Sequence, residues 1–460
     1  MRTFKTILLV LLCLAVAVIG ALWFYAAAPT ETHKFTDGAD VDLQQLVEQG
    51  RYIAIAGDCV ACHTAPGGQP FAGGLPLASP VGAIYSSNIT PDTNTGIGKY
   101  SLDDFDRAVR YGIKPGGETL YPAMPYPSYA RMSDQDLRAL YAYFMHSVEP
   151  AVSGNRGTEI HWPLSIRWPL GIWRKRFAPA SNVVPINQGK YKDVAVARGA
   201  YLVQGLGHCG TCHTPRAFTL QEAALDESQP TYLSGGSVID GWFAVNLRGN
   251  DGAGLGRWSV QDIVDVLKSG RNRHAAVVGA PMGDVVVHSM QDLTEPDLQA
   301  VAAYLKSLPA SPIDAAHFSA NDNTARDLAG GKESGRGAQL YLDNCSACHR
   351  SNGQGSPRVF PAIAGNAAVL AGNPATLIRL VLGGSAMPST RTAPSNLGMP
   401  GFAWRLSDEE TAQLLTFIRQ SWGNAGQGVS AAEVGAIRQA MGARNDIKSA
   451  KNDDENPPGK

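Results

Sequence analysis

One hydrophobic pattern recurs three times along the chain. Counting four, seven, eight and eleven residues from Ser133 gives Leu137, Leu140, Tyr141 and Phe144. The same count from Thr294 gives Leu298, Val301, Ala302 and Leu305, and from Ser407 it gives Thr411, Leu414, Leu415 and Ile418. This spacing predicts a helix with one buried face. Ser133, Thr294 and Ser407 are predicted N-caps, because Asp136, Asp297 and Glu410 follow three residues later in a capping-box-like arrangement. The stripes are therefore core, and each helix is predicted to close one copy of a small helical domain.

Other segments repeat as well. Glycine-led helical stretches with a tyrosine stand at Gly50-Arg51-Tyr52, Gly199-Ala200-Tyr201 and Gly337-Ala338-Gln339-Leu340-Tyr341. At an offset of 158, Gly96-Ile97-Gly98-Lys99-Tyr100-Ser101 matches Gly254-Leu255-Gly256-Arg257-Trp258-Ser259 without a gap. Asn88, Asp104 and Gly112 fall opposite Asn246, Asp262 and Gly270. Ser101 and Ser259 are predicted to cap short amphipathic helices that end at those last glycines.

A different pattern occupies the N-terminus. Ile7 to Ala28 carries no charge and is almost wholly apolar, with Arg2 and Lys5 ahead of it. At about 1.5 Å per residue such a helix can cross a bilayer. A cleaved signal peptide competes with a retained anchor. Cutting after Ala28 would leave Pro29 at the new terminus, and cutting one residue earlier would put Tyr25 where a small side chain is needed, so the anchor is favoured. In both cases the positive end stays in the cytoplasm. Cys13, within this run, is read as a buried small hydrophobe.

Composition changes the picture little, but it excludes one class. The 460 residues suit about three domains, and 44% apolar residues suffice for packed cores. A formal net charge of −1 offers nothing to neutralise phosphate, which excludes nucleic acid as a partner.

Six of the seven cysteines form Cys59-Val60-Ala61-Cys62-His63, Cys209-Gly210-Thr211-Cys212-His213 and Cys345-Ser346-Ala347-Cys348-His349. C-x-x-C-H is the attachment signature of c-type haem. Two thiols two residues apart bond to the vinyl groups on one porphyrin edge, and the adjoining histidine is forced under the ring. Structural zinc needs two pairs per site, and three pairs leave one over. Thiol–disulfide exchange would need three such motifs, each followed by histidine, and disulfide scaffolds belong to cysteine-dense domains. Three covalent haems are predicted.

Methionine is the natural sixth ligand for electron transfer, whereas an open position suits oxygen or peroxide chemistry. Met124, Met282 and Met399 lie nine, twelve and eight residues before the closing caps, each beside proline in a predicted loop. The separations from histidine to methionine are 61, 69 and 50 residues. Met132, Met145 and Met290 sit on or beside the closing helices and are read as core filler. Met387 rivals Met399, and His274 or His288 rivals Met282.

Taken together the chain resembles the tri-haem cytochrome c subunit of bacterial membrane-bound dehydrogenases acting on alcohols, gluconate, sugars or aldehydes. The resemblance spans roughly residues 45 to 425 and rests on Gly57-Asp58 through His63-Thr64, Ser87-Asn88-Ile89-Thr90-Pro91-Asp92, Gly207-His208 through Pro215-Arg216, and Met399-Pro400-Gly401-Phe402-Ala403-Trp404. It implies an all-α fold of three tandem class I cytochrome c-like domains behind the N-terminal segment. It also implies haem attachment and ligation by the residues named above, and it supports Met282 over Met290. Expected partners are a catalytic dehydrogenase subunit of flavin, quinone or molybdenum type, then ubiquinone or a terminal oxidase, on the periplasmic side of the cell inner membrane.

The expected boundaries are 1–28 for the anchor or signal, 45–150, 193–309 and 335–424 for the domains, 310–334 for a linker and 425–460 for a polar tail, disordered from Lys448. The connector 151–192 holds three of the eight tryptophans, Trp162, Trp168 and Trp173, with Arg167, Arg174, Lys175 and Arg176. It is read as an extended strap packed across two domains, its arginines answering haem propionates. The sharper reading is a surface for anionic lipid or the dehydrogenase. The leading function is an electron wire with no catalytic residues of its own. A haem enzyme such as a peroxidase, with one open iron, is the competing class, and no nucleophile elbow, GxGxxG after a strand or HExxH is present.

Overall fold

The computed structural model describes residues 2–32, 34–35, 42–178, 190–236, 238–239, 241–272, 278–279, 281–313, 317–320, 323–332 and 335–442. The proposed disordered tail from Lys448 lies outside them. The chain forms two compact units, Met1–Thr211 and Cys212–Lys460.

In the first unit the elements run α1 (Arg2–Ala27), α2 (Leu43–Ala56), α3 (Cys59–Cys62), β1 (Pro76–Ser79), β2 (Gly82–Tyr85), α4 (Leu102–Tyr111), α5 (Tyr126–Tyr129), α6 (Asp134–His146), α7 (Pro169–Phe177) and α8 (Val194–Tyr201). A π-helical turn, Leu202–Leu206, follows, and α9 (Gly210–His213) leads into the second unit. There β3 (Val238–Ile239), β4 (Trp242–Phe243), α10 (Val260–Ser269), α11 (Met282–His288), α12 (Glu295–Ser307), α13 (Thr324–Ala329), α14 (Gly335–Asn344) and α15 (Ser346–His349) come first. They are followed by α16 (Ala367–Leu370), α17 (Ala375–Gly383), β5 (Ser385–Ala386), β6 (Gly398–Met399) and α18 (Asp408–Gln420). The fold is mostly helical. Among the described residues the strands pair as antiparallel hairpins, β1 with β2, β3 with β4 and β5 with β6.

The closing helices are α6, α12 and α18. The Ser133, Thr294 and Ser407 side chains accept from the backbone N–H of Asp136, Asp297 and Glu410, as the spacing predicts. Leu137, Leu298 and Leu414 are no more than 1% exposed, and burying each such side chain contributes about 1.5–3 kcal/mol. Ser101 and Ser259 form full capping boxes at α4 and α10, which end at the left-handed glycines Gly112 and Gly270.

The leading glycines let helices touch. A Cβ on Gly50 of α2 would stand 1.9 Å from the carbonyl oxygen of Ala139 on α6, and one on Gly337 of α14 would stand 2.5 Å from that of Gln413 on α18. Gly337→Ala should therefore force α14 from α18 at a cost of about 1–3 kcal/mol. A melting temperature lowered by several degrees, with all haem retained, is the expected calorimetric result.

Three segments differ from their sequence-based description. The stretch 310–334 contains α13, with Leu328 buried in a core shared with Tyr341 and Leu415. The stretch 425–460 is helical at 431–442. Val434 is fully buried there, and Arg438 donates to Asp408 and to the carbonyls of Ala403 and Leu406. Polar composition hid one apolar side chain per turn, which is enough to dock a short helix. Cys13 is exposed on α1, a helix with no buried residue, because α1 meets the rest of the described chain at its last turn rather than at Cys13.

Candidate haem centres

Each motif histidine is held in the same way. The Nδ1 atoms of His63, His213 and His349 lie 2.7, 2.7 and 2.9 Å from the backbone carbonyl oxygens of Ser87, Val245 and Pro361. A ring nitrogen facing a carbonyl must carry the proton, which leaves Nε2 with its lone pair outward for a metal. Desolvation lowers all three imidazole pKa values, while those carbonyl bonds work the other way. The neutral, ligating form is therefore favoured.

A second bond repeats beside the first. The carbonyl oxygens of His63, His213 and His349 accept from Gly73, Gly235 and Gly355 at 2.7, 2.7 and 3.0 Å. All three glycines have positive φ, at 73°, 77° and 56°, where a side chain is strained. In the first two copies Thr64 and Thr214, directly after the histidines, accept from the N–H groups of Phe71 and Leu233. The carbonyls of those two residues then accept from Ile89 and Leu247. The ladder brings the strand end that carries the Ser87 or Val245 carbonyl back under its histidine. Asn88 and Asn246 lock that end, their Oδ1 atoms accepting from Thr90 and Arg248 two residues on.

The thiols are compatible with covalent attachment to haem. The six motif cysteines are in no disulfide. Desolvation, the larger cause, pushes Cys59 and Cys345 up to about 12, with the neighbouring Asp58 and Cys62 adding to it at Cys59 and Cys348 at Cys345. Zinc needs thiolates, and no group of three or more His, Cys, Asp or Glu gathers as a metal site among the described residues. A thioether needs no lasting thiolate. Donor chemistry and histidine tautomer both fit haem c.

The methionines vary more. Met124 is half-buried in the turn before α5, and its carbonyl accepts from Tyr126. Three residues later Tyr129 donates its hydroxyl to the carbonyl of Gly57 at 2.7 Å, so the methionine segment is tied to the entrance of the first motif. Met399 lies on β6 opposite Ser385 and packs on the same core as Cys345. Met282 is the first residue of α11, not a loop residue, with Pro281 as the N-cap. Its segment lies near the second motif's support: Gly279 faces the Trp242 ring on β4, and Val245, two residues past that strand, holds His213. Met132 and Met290 are 4% and 6% exposed. The rival Met387 is equally buried, His288 is exposed at the end of α11, and His274 and Ala280 lie outside the described residues.

The carbonyls and glycines under the histidines escaped sequence reasoning. A carbonyl belongs to every residue type, and Gly73, Gly235 and Gly355 stand ten, twenty-two and six residues after their histidines, so no common spacing marks them. The connector also differs from an extended strap. Proline at its first turn starts α7, which packs on α1 and on the segment before Met124. Arg167 donates to the Thr119 carbonyl, pairs with Glu118 and stacks on Tyr121.

Comparison with known proteins agrees with this architecture. The cytochrome c family model matches residues 47–147 and 334–422. The chain is 49% identical over 442 residues to the gluconate 2-dehydrogenase cytochrome c subunit of Pantoea cypripedii, covering 94% of this chain and 97% of that protein. It is 50% identical over 396 residues to the cytochrome c subunit of the quinone alcohol dehydrogenase of Gluconacetobacter polyoxogenes, covering 85% and 84%. The fructose dehydrogenase cytochrome subunit of Gluconobacter japonicus is 38% identical over 412 residues, covering 85% and 82%. With its three motif histidines held alike, and at 49–50% identity to such proteins over 85–94% of its length, the chain belongs to the family of dehydrogenase cytochrome c subunits.

Proposed function

We propose that the chain is a tri-haem electron-transfer subunit built of three tandem class I cytochrome c-like domains, 45–150, 193–309 and 335–424. It receives electrons from a catalytic dehydrogenase subunit of flavin, quinone or molybdenum type and delivers them to ubiquinone or a terminal oxidase. The relatives' names point to gluconate, an alcohol or fructose as the class of substrate oxidised by that partner. Cys59 and Cys62, Cys209 and Cys212, and Cys345 and Cys348 would form the thioethers. His63, His213 and His349 would ligate iron on one side, and Met124, Met282 and Met399 on the other. A bound haem of this type supplies a one-electron iron couple of raised potential with no open coordination position.

The remaining chemistry belongs to the chain. The carbonyls of Ser87, Val245 and Pro361 fix each imidazole's orientation and proton, so neither needs to change when an electron passes. That one arrangement, built three times from different loops, is the observation that carries the proposal. A pyridine haemochrome assay on mature protein tests it, with three haem c per chain expected and two or fewer overturning it.

The apolar helix α1 is 26 residues long, about 39 Å, and would hold the subunit in the inner membrane with its haem domains in the periplasm. N-terminal sequencing of membrane-extracted protein should return a terminus ahead of Ile7; a terminus at or after Ala28 would show cleavage instead.

A further inference from the structure

We propose that the connector from Ile160 to Phe177 lies in the phospholipid headgroup layer, with Trp162, Leu164 and Ile166 in the lipid interface and anionic headgroups as its ligand. This rests on α1 being the membrane anchor. The connector is joined to that anchor by direct packing: a Cβ on Gly171 of α7 would come within 2.7 Å of the Ala26 carbonyl oxygen near the end of α1. Lys175 donates to the carbonyls of Tyr25 and Ala28 at 2.6 and 2.7 Å, and its ammonium lies 4.9 Å from the Tyr25 ring centroid. Those carbonyls are among the groups a helix end leaves without an intrahelical donor, and a cation there also answers the negative end of the helix dipole. Arg174 reaches Thr30 just beyond. The connector is thus fastened to the last turn of α1, at the level where a spanning helix leaves the hydrocarbon.

Its outward side chains match that level. Trp162, Leu164 and Ile166 are 80%, 61% and 41% exposed, which is unusual for three large apolar side chains within five residues and would be costly in water. Tryptophan favours the membrane–water boundary, and Trp23 and Tyr25 stand at the adjoining end of α1. From residue 160 to 192 the chain has six basic residues and no acidic one, namely Arg167, Arg174, Lys175, Arg176, Lys190 and Lys192. A protein partner could use the same apolar side chains, but the shared fastening to α1 and the lack of any acidic residue from 160 to 192 favour lipid.

The test uses full-length holoprotein in nanodiscs of phosphatidylcholine, with or without phosphatidylglycerol, carrying a diazirine in either the headgroup or the acyl chain. After photolysis, peptides are mapped by mass spectrometry. Headgroup label is expected on 160–177 and acyl-chain label on α1. Phosphatidylglycerol should raise connector labelling, and Arg176→Ala, an exposed basic residue of α7, should weaken that gain by about fivefold. Trp162→Ser with Leu164→Ser and Ile166→Ser should reduce connector labelling to background while the haem spectrum is unchanged. An unlabelled connector beside a labelled α1 would overturn the proposal, as would labelling lost when dehydrogenase is added. An unlabelled α1 would refute the anchor and, with it, the fastening on which the connector's placement rests.

Discussion

Replacing Met282 by alanine is expected to remove one of three sulfur-to-iron charge-transfer contributions in the far-red spectrum, whereas Met290→Ala leaves all three. The two residues are eight positions apart but differ in setting. Met290 is 6% exposed in a short 3₁₀ turn, while Met282 is half-buried behind Pro281 at the start of α11. Losing the thioether should also lower that iron's potential. A drop on the order of 0.2 V is a fraction of the roughly 0.8 V that axial ligands span. At about 59 mV per factor of ten for one electron, that would make reduction of the middle haem about a thousandfold less favourable at equilibrium. Spectra and redox titration of both variants decide the assignment, and the reverse pattern would move the ligand to Met290.

The isolated subunit is expected to turn over no organic substrate and to be reduced only when its dehydrogenase and that enzyme's substrate are both present. Adding it should restore quinone reductase activity to a dehydrogenase that lacks it. Reduced protein should bind carbon monoxide poorly, since the proposed methionine ligation leaves no iron with an open position. This is an all-or-none comparison. Fast, stoichiometric carbon monoxide binding at one haem, together with peroxide turnover, would mark an open iron and the enzyme class instead.

The features legible in the sequence are those written in side-chain identity at short range. C-x-x-C-H needs only five consecutive residues, and capping at Ser101, Ser259 and Ser407 needs only a hydroxyl and an acid three positions on. The glycines at 50 and 337 were visible as a repeat, but their reason was not, since it lies in carbonyls on α6 and α18 far along the chain. The placement of Met282 slipped from loop to helix because proline, read as holding an extended backbone, is equally suited to precede a helix. The polar residues from 443 onward concealed a docked helix at 431–442, where Val434 is buried and Ala431, Ile437 and Met441 pack against the same core.

By itself, then, the sequence determined the haem attachment motifs, the capped and striped helices, the apolar N-terminal span and the family resemblance. Each of these depends on residue type at fixed local spacing, which short-range sterics and periodic burial enforce. Only the tertiary structure decided that Ser87, Val245 and Pro361 hold the histidines, that Gly73, Gly235 and Gly355 support them, and that α7 is fastened to the end of α1. In those contacts the acceptor is a backbone carbonyl, which every residue carries, brought into place by loops of unequal length. No pattern of side chains announces them.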